Sequence, residues 1–131
     1  MMRNLEIATQ LLQKGSVLHI PRVEFSSGIT KNKYCVLAED GTAFWKKGYI
    51  TGCLTTSKTP TPLKPWQVAV GKGFQILGDH QKKTTYIDCR NKINLRENQI
   101  KKCTHLSDLP DEIKILFDNA LQIADAYEQA S

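Results

Sequence analysis

No run of about 18 uncharged apolar residues occurs in the 131-residue chain, so no segment reads as a membrane-spanning helix. The start, Met1-Met2-Arg3-Asn4-Leu5-Glu6, carries an acid where a secretory signal would begin its apolar stretch, and a cytoplasmic location is expected. Paired metal ligands are missing as well. Cys35, Cys53, Cys89 and Cys103 form no C-x-x-C, and only Cys103 and His105 are near neighbours, so neither a metal site nor a cofactor is expected. In a reducing compartment such thiols stay unpaired, and Cys35 and Cys53 lie in apolar runs as core residues. There is no G-x-x-x-x-G-K-[ST], G-x-S-x-G, H-E-x-x-H or EF-hand loop, and Gly71-Lys72-Gly73 opens no helix. Nucleotide hydrolysis and metalloprotease chemistry therefore have no support, and the scattered acids of the body offer no pair for glycosidase chemistry.

What is present fits one compact domain, with 40% hydrophobic and 24% charged residues. Charge is unevenly placed. Residues 1–106 hold 17 of the 18 Lys and Arg but 7 of the 13 acids, a net of +10, whereas residues 107–131 carry a net of −5. A basic body concentrates polyanions by steering and counterion release, which makes nucleic acid the leading partner class; a solvated basic surface that merely keeps the protein soluble is the alternative.

Hydrophobic spacing sketches the elements. Leu5, Ala8, Leu11 and Leu12 predict a helix over residues 2–14, closed by Gly15. Ser16-Val17-Leu18-His19-Ile20 reads as a strand stopped by Pro21, Ser26–Asn32 as a flexible loop, and Lys33–Glu39 as a second strand before an Asp40-Gly41 hairpin turn. Tyr49–Thr56, Val68–Val70, Phe74–Leu77 and Thr84–Cys89 read as further short strands, which together suggest a small barrel. Asp108 is placed to cap a helix with Pro110 in its first turn, along which Ile113, Leu116, Phe117, Ala120, Leu121, Ala124 and Tyr127 form an apolar stripe.

The residues that could carry chemistry lie at strand ends. Gly28-Ile29-Thr30-Lys31-Asn32-Lys33 leads into Tyr34-Cys35-Val36-Leu37, Leu54-Thr55-Thr56-Ser57-Lys58 closes a strand, and Tyr86-Ile87-Asp88-Cys89-Arg90 closes another. In this order they resemble three blocks of the MazF/PemK-type toxin family, and Leu106-Ser107-Asp108-Leu109-Pro110-Asp111-Glu112-Ile113 resembles that family's entry to its last helix. The resemblance spans Gly15 to the C-terminus. It implies one α+β domain over residues 1–131: a small SH3-like β-barrel with a C-terminal amphipathic helix, and residues 1–14 as an N-terminal helical extension. It further implies a homodimer that cleaves single-stranded RNA without a metal and is neutralised by a cognate antitoxin.

On that resemblance Lys33, Thr55 and Asp88 are the candidate catalytic residues, and Arg22, Lys31, Thr56, Lys58 and Arg90 the candidate RNA-binding ones. Lys33 stands where the family most often has arginine followed by proline; lysine keeps the charge but loses the planar fork that grips two phosphate oxygens. Each position has a plainer reading. Lys33 and Lys58 are solvated surface in it, Thr55 and Thr56 follow β propensity, and Asp88 caps a turn. His19 could act as a base near neutral pH, although neither spacing nor the family pattern places it at the site. Trp45 and Trp66 are candidates for base stacking. A non-catalytic module of the same fold, binding nucleic acid or protein, is the alternative function.

Overall fold

The structure, a computed structural model, describes residues 9–24 and 30–130, with side chains described except at 22–24 and 30–32. Along the chain run β1 (Ser16–Glu24), β2 (Thr30–Leu37), α1 (Thr42–Lys47), β3 (Ile50–Thr56) and β4 (Gln67–Val70). Two single-turn 3-10 helices at Lys72–Phe74 and Gly78–His80 follow, then β5 (Thr85–Leu95), α2 (Glu97–Lys102), β6 (Thr104–Asp108) and α3 (Asp111–Ala130). The strands form one curled sheet in the order β4-β5-β3-β2-β1-β6, and every neighbouring pair is antiparallel. The result is a half-barrel with a C-terminal helix. Ser107 of the β6 edge donates its hydroxyl proton to the Ile76 carbonyl at 2.6 Å, which ties that edge to the segment following β4.

Strand side chains alternate between two faces, and here both faces are buried. Val17, Val36, Cys53, Val68, Val70, Ile87 and Cys89 face α3, which contributes Ile113, Phe117, Ala120, Leu121 and Ala124. Leu18, Ile20, Cys35, Leu37, Ile50, Leu54 and Leu95 line the opposite face with Leu12 and Ile100 of α2. This double burial explains why β2 and β3 read as continuous apolar runs. Cys35, Cys53 and Cys89 are buried in these clusters and, with half-buried Cys103, are unpaired thiols. Burial raises the Cys103 thiol to about 11.

Several boundaries differ from the sequence expectation. β1 does not stop at Pro21: the register slips by one residue between Ile20 and Val23, and pairing with β6 ends at His19. Pro21 thus sits at a bulge where a missing N–H costs no ladder bond on the β6 side. Thr30–Asn32 belong to β2 rather than to a loop, while residues 25–29 of the expected loop lie outside the described residues. Asp40-Gly41 is not a hairpin turn but the entrance to α1, where the Thr42 amide donates to Asp40 Oδ1 at 2.9 Å. Phe74–Leu77 is not a strand. Gln75 takes φ 49°, and the turn still buries Ile76 and Leu77. β5 runs on to Leu95, and α1, α2 and β6 were not expected at all.

Only residues 9–11 of the expected N-terminal helix are described as helical, and residues 1–8 lie outside the described residues. Gly15 has φ 95°, its amide donates to the Leu37 carbonyl at 2.9 Å and its carbonyl accepts from Leu109, so the entry to β1 is pinned to β2 and to the start of α3. At Gly41 a Cβ would lie 1.6 Å from the Thr9 carbonyl oxygen, so only glycine lets these backbones meet.

Asp108 does not cap α3; it ends β6. Its Oδ1 accepts from Ser16 Oγ at 2.7 Å and contacts His105 Nε2 at 3.0 Å. Partial burial would raise its pKa, but these hydrogen bonds and the His105 charge outweigh that, and the carboxyl is held below its usual value. A depressed carboxylate adds stability that is fully present above the unfolded pKa, about 3.9, and is lost as pH falls through the lower folded value. Asp108→Asn is therefore expected to lower the melting temperature at pH 7 and to leave it nearly unchanged at pH 2. An equal loss at both pH values would refute the ionic part of this contact.

The acidic last helix is not a detached charge block. Asp118 pairs with Lys14 at 3.1 Å, and Lys92 of β5 bridges Asp125 and Glu128 at 2.8 and 2.9 Å. Half of the acids in the C-terminal segment therefore face the basic body.

Candidate functional site

The middle of β2, the end of β3, the start of β5 and the segment after β4 enclose a cavity of about 370 Å³. Its walls are Lys33 and Tyr34 of β2, Thr55, Thr56 and Ser57 at the end of β3, Thr85 of β5, and Leu77, His80, Gln81, Lys82 and Lys83. Three lysines and a histidine line it with no carboxylate among them. The charge balance separates it from its neighbours. A cavity of similar volume beside α1 mixes Lys14, Lys46 and Lys47 with Glu39 and Asp40, and its Lys47 is already paired with Glu39 at 2.7 Å. A smaller one, about 230 Å³, sets Lys14 and Lys92 against Glu39, Asp118 and Asp125. Of these three, the first is the one whose described lining holds lysines and a histidine and no carboxylate.

Buried Gln81 fixes the segment that carries His80, Lys82 and Lys83. Its Nε2 donates to the Val70 and Gly71 carbonyls at 3.0 and 3.1 Å, and its Oε1 accepts from the Leu77 amide at 3.4 Å. Three rings meet beside it. His19 and Tyr34, paired across β1 and β2, have centroids 5.3 Å apart, and His80 stacks on His19 at 6.2 Å and lies tilted against Tyr34 at 5.9 Å.

The two threonines differ chemically. Thr55, buried, donates its hydroxyl proton to the Tyr34 carbonyl at 3.3 Å, so it offers a ligand lone pairs only. Thr56 accepts from the Lys58 amide at 3.1 Å, which leaves its proton available to a phosphate oxygen.

Of the residues singled out in the sequence, Lys33, Thr55 and Thr56 share the cavity wall, and exposed Lys58 follows two residues beyond Thr56. Arg22 and Lys31 lie on β1 and β2, with side chains outside the described residues. Asp88 does not line the cavity. Three residues beyond Thr85 on β5, roughly 10 Å along the strand, it accepts from the Arg90 amide at 3.1 Å and from Gln67 Nε2 at 3.4 Å. Arg90 packs its guanidinium over Trp66 and Tyr127, 4.9 and 5.3 Å from the ring centroids. Trp66 is thereby engaged, and Trp45, exposed on α1, donates its indole N–H to Thr9 Oγ1 at 3.0 Å. Sequence reasoning missed His80, Lys82, Lys83 and the contact of His19 with His80. The available signal was a His and two Lys within six residues of Gly78, in a turn between β-prone runs.

Among the described residues there is no group of three or more His, Cys, Asp or Glu placed to hold a metal ion, and no helix is long and apolar enough to cross a membrane.

The fold and the cleft together define a small antiparallel half-barrel with a cluster of basic side chains at one cavity. Among solved structures, that half-barrel matches a MazE-MazF complex from Deinococcus radiodurans with a TM-score of 0.64 and 10% identity, over 91% of this chain and 96% of that one. An uncomplexed MazF from the same organism gives a TM-score of 0.61 at 10% identity, covering 87% and 96%. A mycobacterial endoribonuclease in complex with its cognate antitoxin gives 0.59 at 14% identity, covering 88% and 94%. No family model and no curated protein matches the sequence. The chain has the MazF-type toxin fold.

Proposed function

We propose that this protein is a metal-independent endoribonuclease toxin of the MazF/PemK type. It cuts single-stranded RNA by attack of a ribose 2′-OH on the adjacent phosphate, and a cognate antitoxin neutralises it. The observation that carries the reading is the carboxylate-free cavity at the strand ends of a MazF-type half-barrel, walled by Lys33, Lys82 and Lys83 with the hydroxyls of Thr55, Thr56 and Ser57. A pentacoordinate phosphate gathers negative charge on its oxygens. Preorganised ammonium and hydroxyl groups stabilise that charge more than they stabilise the ground state, and this lowers the barrier without a Lewis acid. Lys33 and the hydroxyl proton of Thr56 act at the reacting phosphate, Thr55 holds the Tyr34 backbone beside them, and Lys58, Arg22 and Lys31 hold the strand. The small half-barrel acts as a homodimer, and the antitoxin competes with RNA for the basic end through its own acidic residues.

The test is a long RNA incubated with the purified protein in EDTA. Cleavage is expected, leaving a 5′-OH and a cyclic phosphate or its hydrolysed form. Cleavage that returns only with magnesium would reject the metal-independent chemistry; RNA that is bound but never cut would establish the non-catalytic module instead.

The threonine geometry gives a finer expectation. Thr56→Val should slow cleavage by about tenfold or more, the effect of losing one phosphate-directed donor. Thr55→Val should slow it less and lower stability by about 1 kcal/mol, because it removes the bond to Tyr34. Rates and melting curves of the two variants decide this, and the reverse ranking would show that Thr55 is the donor.

A further inference from the structure

The cavity supplies charge and donors, but the acid singled out in the sequence as a base, Asp88, does not line it, and no other carboxylate does. A 2′-OH is a poor nucleophile until its proton has somewhere to go. Among the side chains on the cavity wall, His80 carries the one imidazole, whose ring nitrogen can accept a proton. We propose that His80 is the catalytic residue that takes the ribose 2′-OH proton, with His19 as the positioning residue that holds its ring.

Three observations support this assignment. His80 is exposed and opens onto the cavity, so a substrate reaches it. Its backbone is fixed by the next residue, Gln81, which is buried and bonded to the end of β4. Its ring lies nearly parallel to that of His19, at 14°, and also contacts Tyr34, so the imidazole is oriented before RNA arrives. The titratable and charged groups around it are His19 from β1, Lys33 and Tyr34 from β2, and Asp79, Lys82 and Lys83 on its own segment.

The step balances. The 2′-oxygen forms a bond to phosphorus as its proton passes to a ring nitrogen of His80, and the bond from phosphorus to the 5′-oxygen breaks. The leaving oxygen, its charge met by the Lys33 ammonium, takes a proton from solvent water, giving a 2′,3′-cyclic phosphate and a 5′-OH. The hydroxide so formed takes the proton from the His80 imidazolium, and the ring returns to its starting state.

The assignment rests on the endoribonuclease reading, and the experiment separates the two. Cleavage of a single-stranded RNA oligonucleotide in EDTA is followed from about pH 5 to 9 for the wild type, His80→Gln, His80→Ala and His19→Gln, with RNA affinity and melting temperature measured alongside. Wild-type kcat/KM should rise with pH along a limb that His80→Gln abolishes, with a loss of about a hundredfold, while affinity and melting temperature hold. Added imidazole should restore part of the His80→Ala rate. His19→Gln should keep the limb, displaced, with a smaller loss. A His80→Gln protein that cuts at the wild-type rate with the same pH limb overturns the assignment. So does one that loses activity but keeps the limb, when His80→Ala is not rescued by imidazole. A wild type that cuts no RNA at any pH removes the endoribonuclease reading and this assignment with it, before any variant is compared.

Discussion

Phe117→Ala is expected to lower the unfolding free energy by about 3–5 kcal/mol, the usual range for deleting a fully buried aromatic ring. Phe117 is fully buried and is the largest such side chain in the molecule's described residues. It packs among Val17, Val36, Val68, Val70, Ile87 and Cys89 where α3 crosses the sheet. Removing the ring forfeits both its transfer free energy and the contacts around the cavity it leaves. A domain of this size has about 5–15 kcal/mol in total, so the variant should unfold at clearly lower urea and sit near its melting transition at physiological temperature. Leu116→Ala is the control: its side chain is 52% exposed, and the change should cost less than about 1 kcal/mol. Urea titrations followed by circular dichroism compare the two. Similar midpoints for both variants would mean that α3 does not cover this face of the sheet in solution.

The contrast between these neighbours shows how far periodicity reaches. Ile113, Phe117, Ala120, Leu121 and Ala124, all in the sequence stripe, are buried, because the spacing of a 20-residue helix is a local property of the chain. Leu116 and Tyr127 belong to the same stripe and are about half exposed, because which edge of a stripe touches the sheet depends on how the helix lies across it. Tyr127 instead forms one wall of the Arg90 stack with Trp66. Phe74–Leu77 failed for a related reason: its residues are β-prone, but the glycines at 71 and 73 and the left-handed Gln75 let the chain bury Ile76 and Leu77 through turns. Pro21 misled in the other direction, since its effect on a strand depends on which side lacks a partner and on the bulge beside it.

The site divides in the same way. Thr55 and Thr56 were legible because they sit at the end of β3, and Lys33 because it stands just before the apolar run of β2, and such transitions leave marks in sequence. Their convergence on one cavity comes from the pairing of β2 with β3 and of β3 with β5. His80, Lys82 and Lys83 reach that cavity through the two turns after β4 and the buried Gln81 anchor, and no periodicity encodes such a path. The net charge of the two chain segments was readable, but its destination was not: three acids of α3 meet Lys14 and Lys92, while Lys33, Lys82 and Lys83 line a cavity whose described wall has no carboxylate.

Lys33→Ala should slow RNA cleavage by at least about tenfold and by up to about a hundredfold, with the fold intact. Lys33 is half-buried at the mouth of the cavity, on the strand whose next residue, Tyr34, joins the ring cluster. A cation held there meets charge that appears on the phosphate only in the transition state, and loss of one such group removes roughly 1.4–3 kcal/mol of stabilisation. Lys82→Ala and Lys83→Ala should act differently. Both side chains are exposed, and under the proposed function they serve as point charges for RNA: affinity should weaken, and the slope of log affinity against log salt should fall by about 1 for each, with little effect on the rate at saturating RNA. Lys114→Ala on α3, away from the cavity wall, serves as the control. Lys33→Arg completes the set, because a planar fork that grips two phosphate oxygens should equal or exceed the lysine if this position meets the reacting phosphate. Single-turnover rates beside binding isotherms separate the two roles. If Lys33→Ala matched Lys114→Ala in rate, the reacting phosphate would have to lie elsewhere, and the cavity would be a place where RNA is held rather than cut.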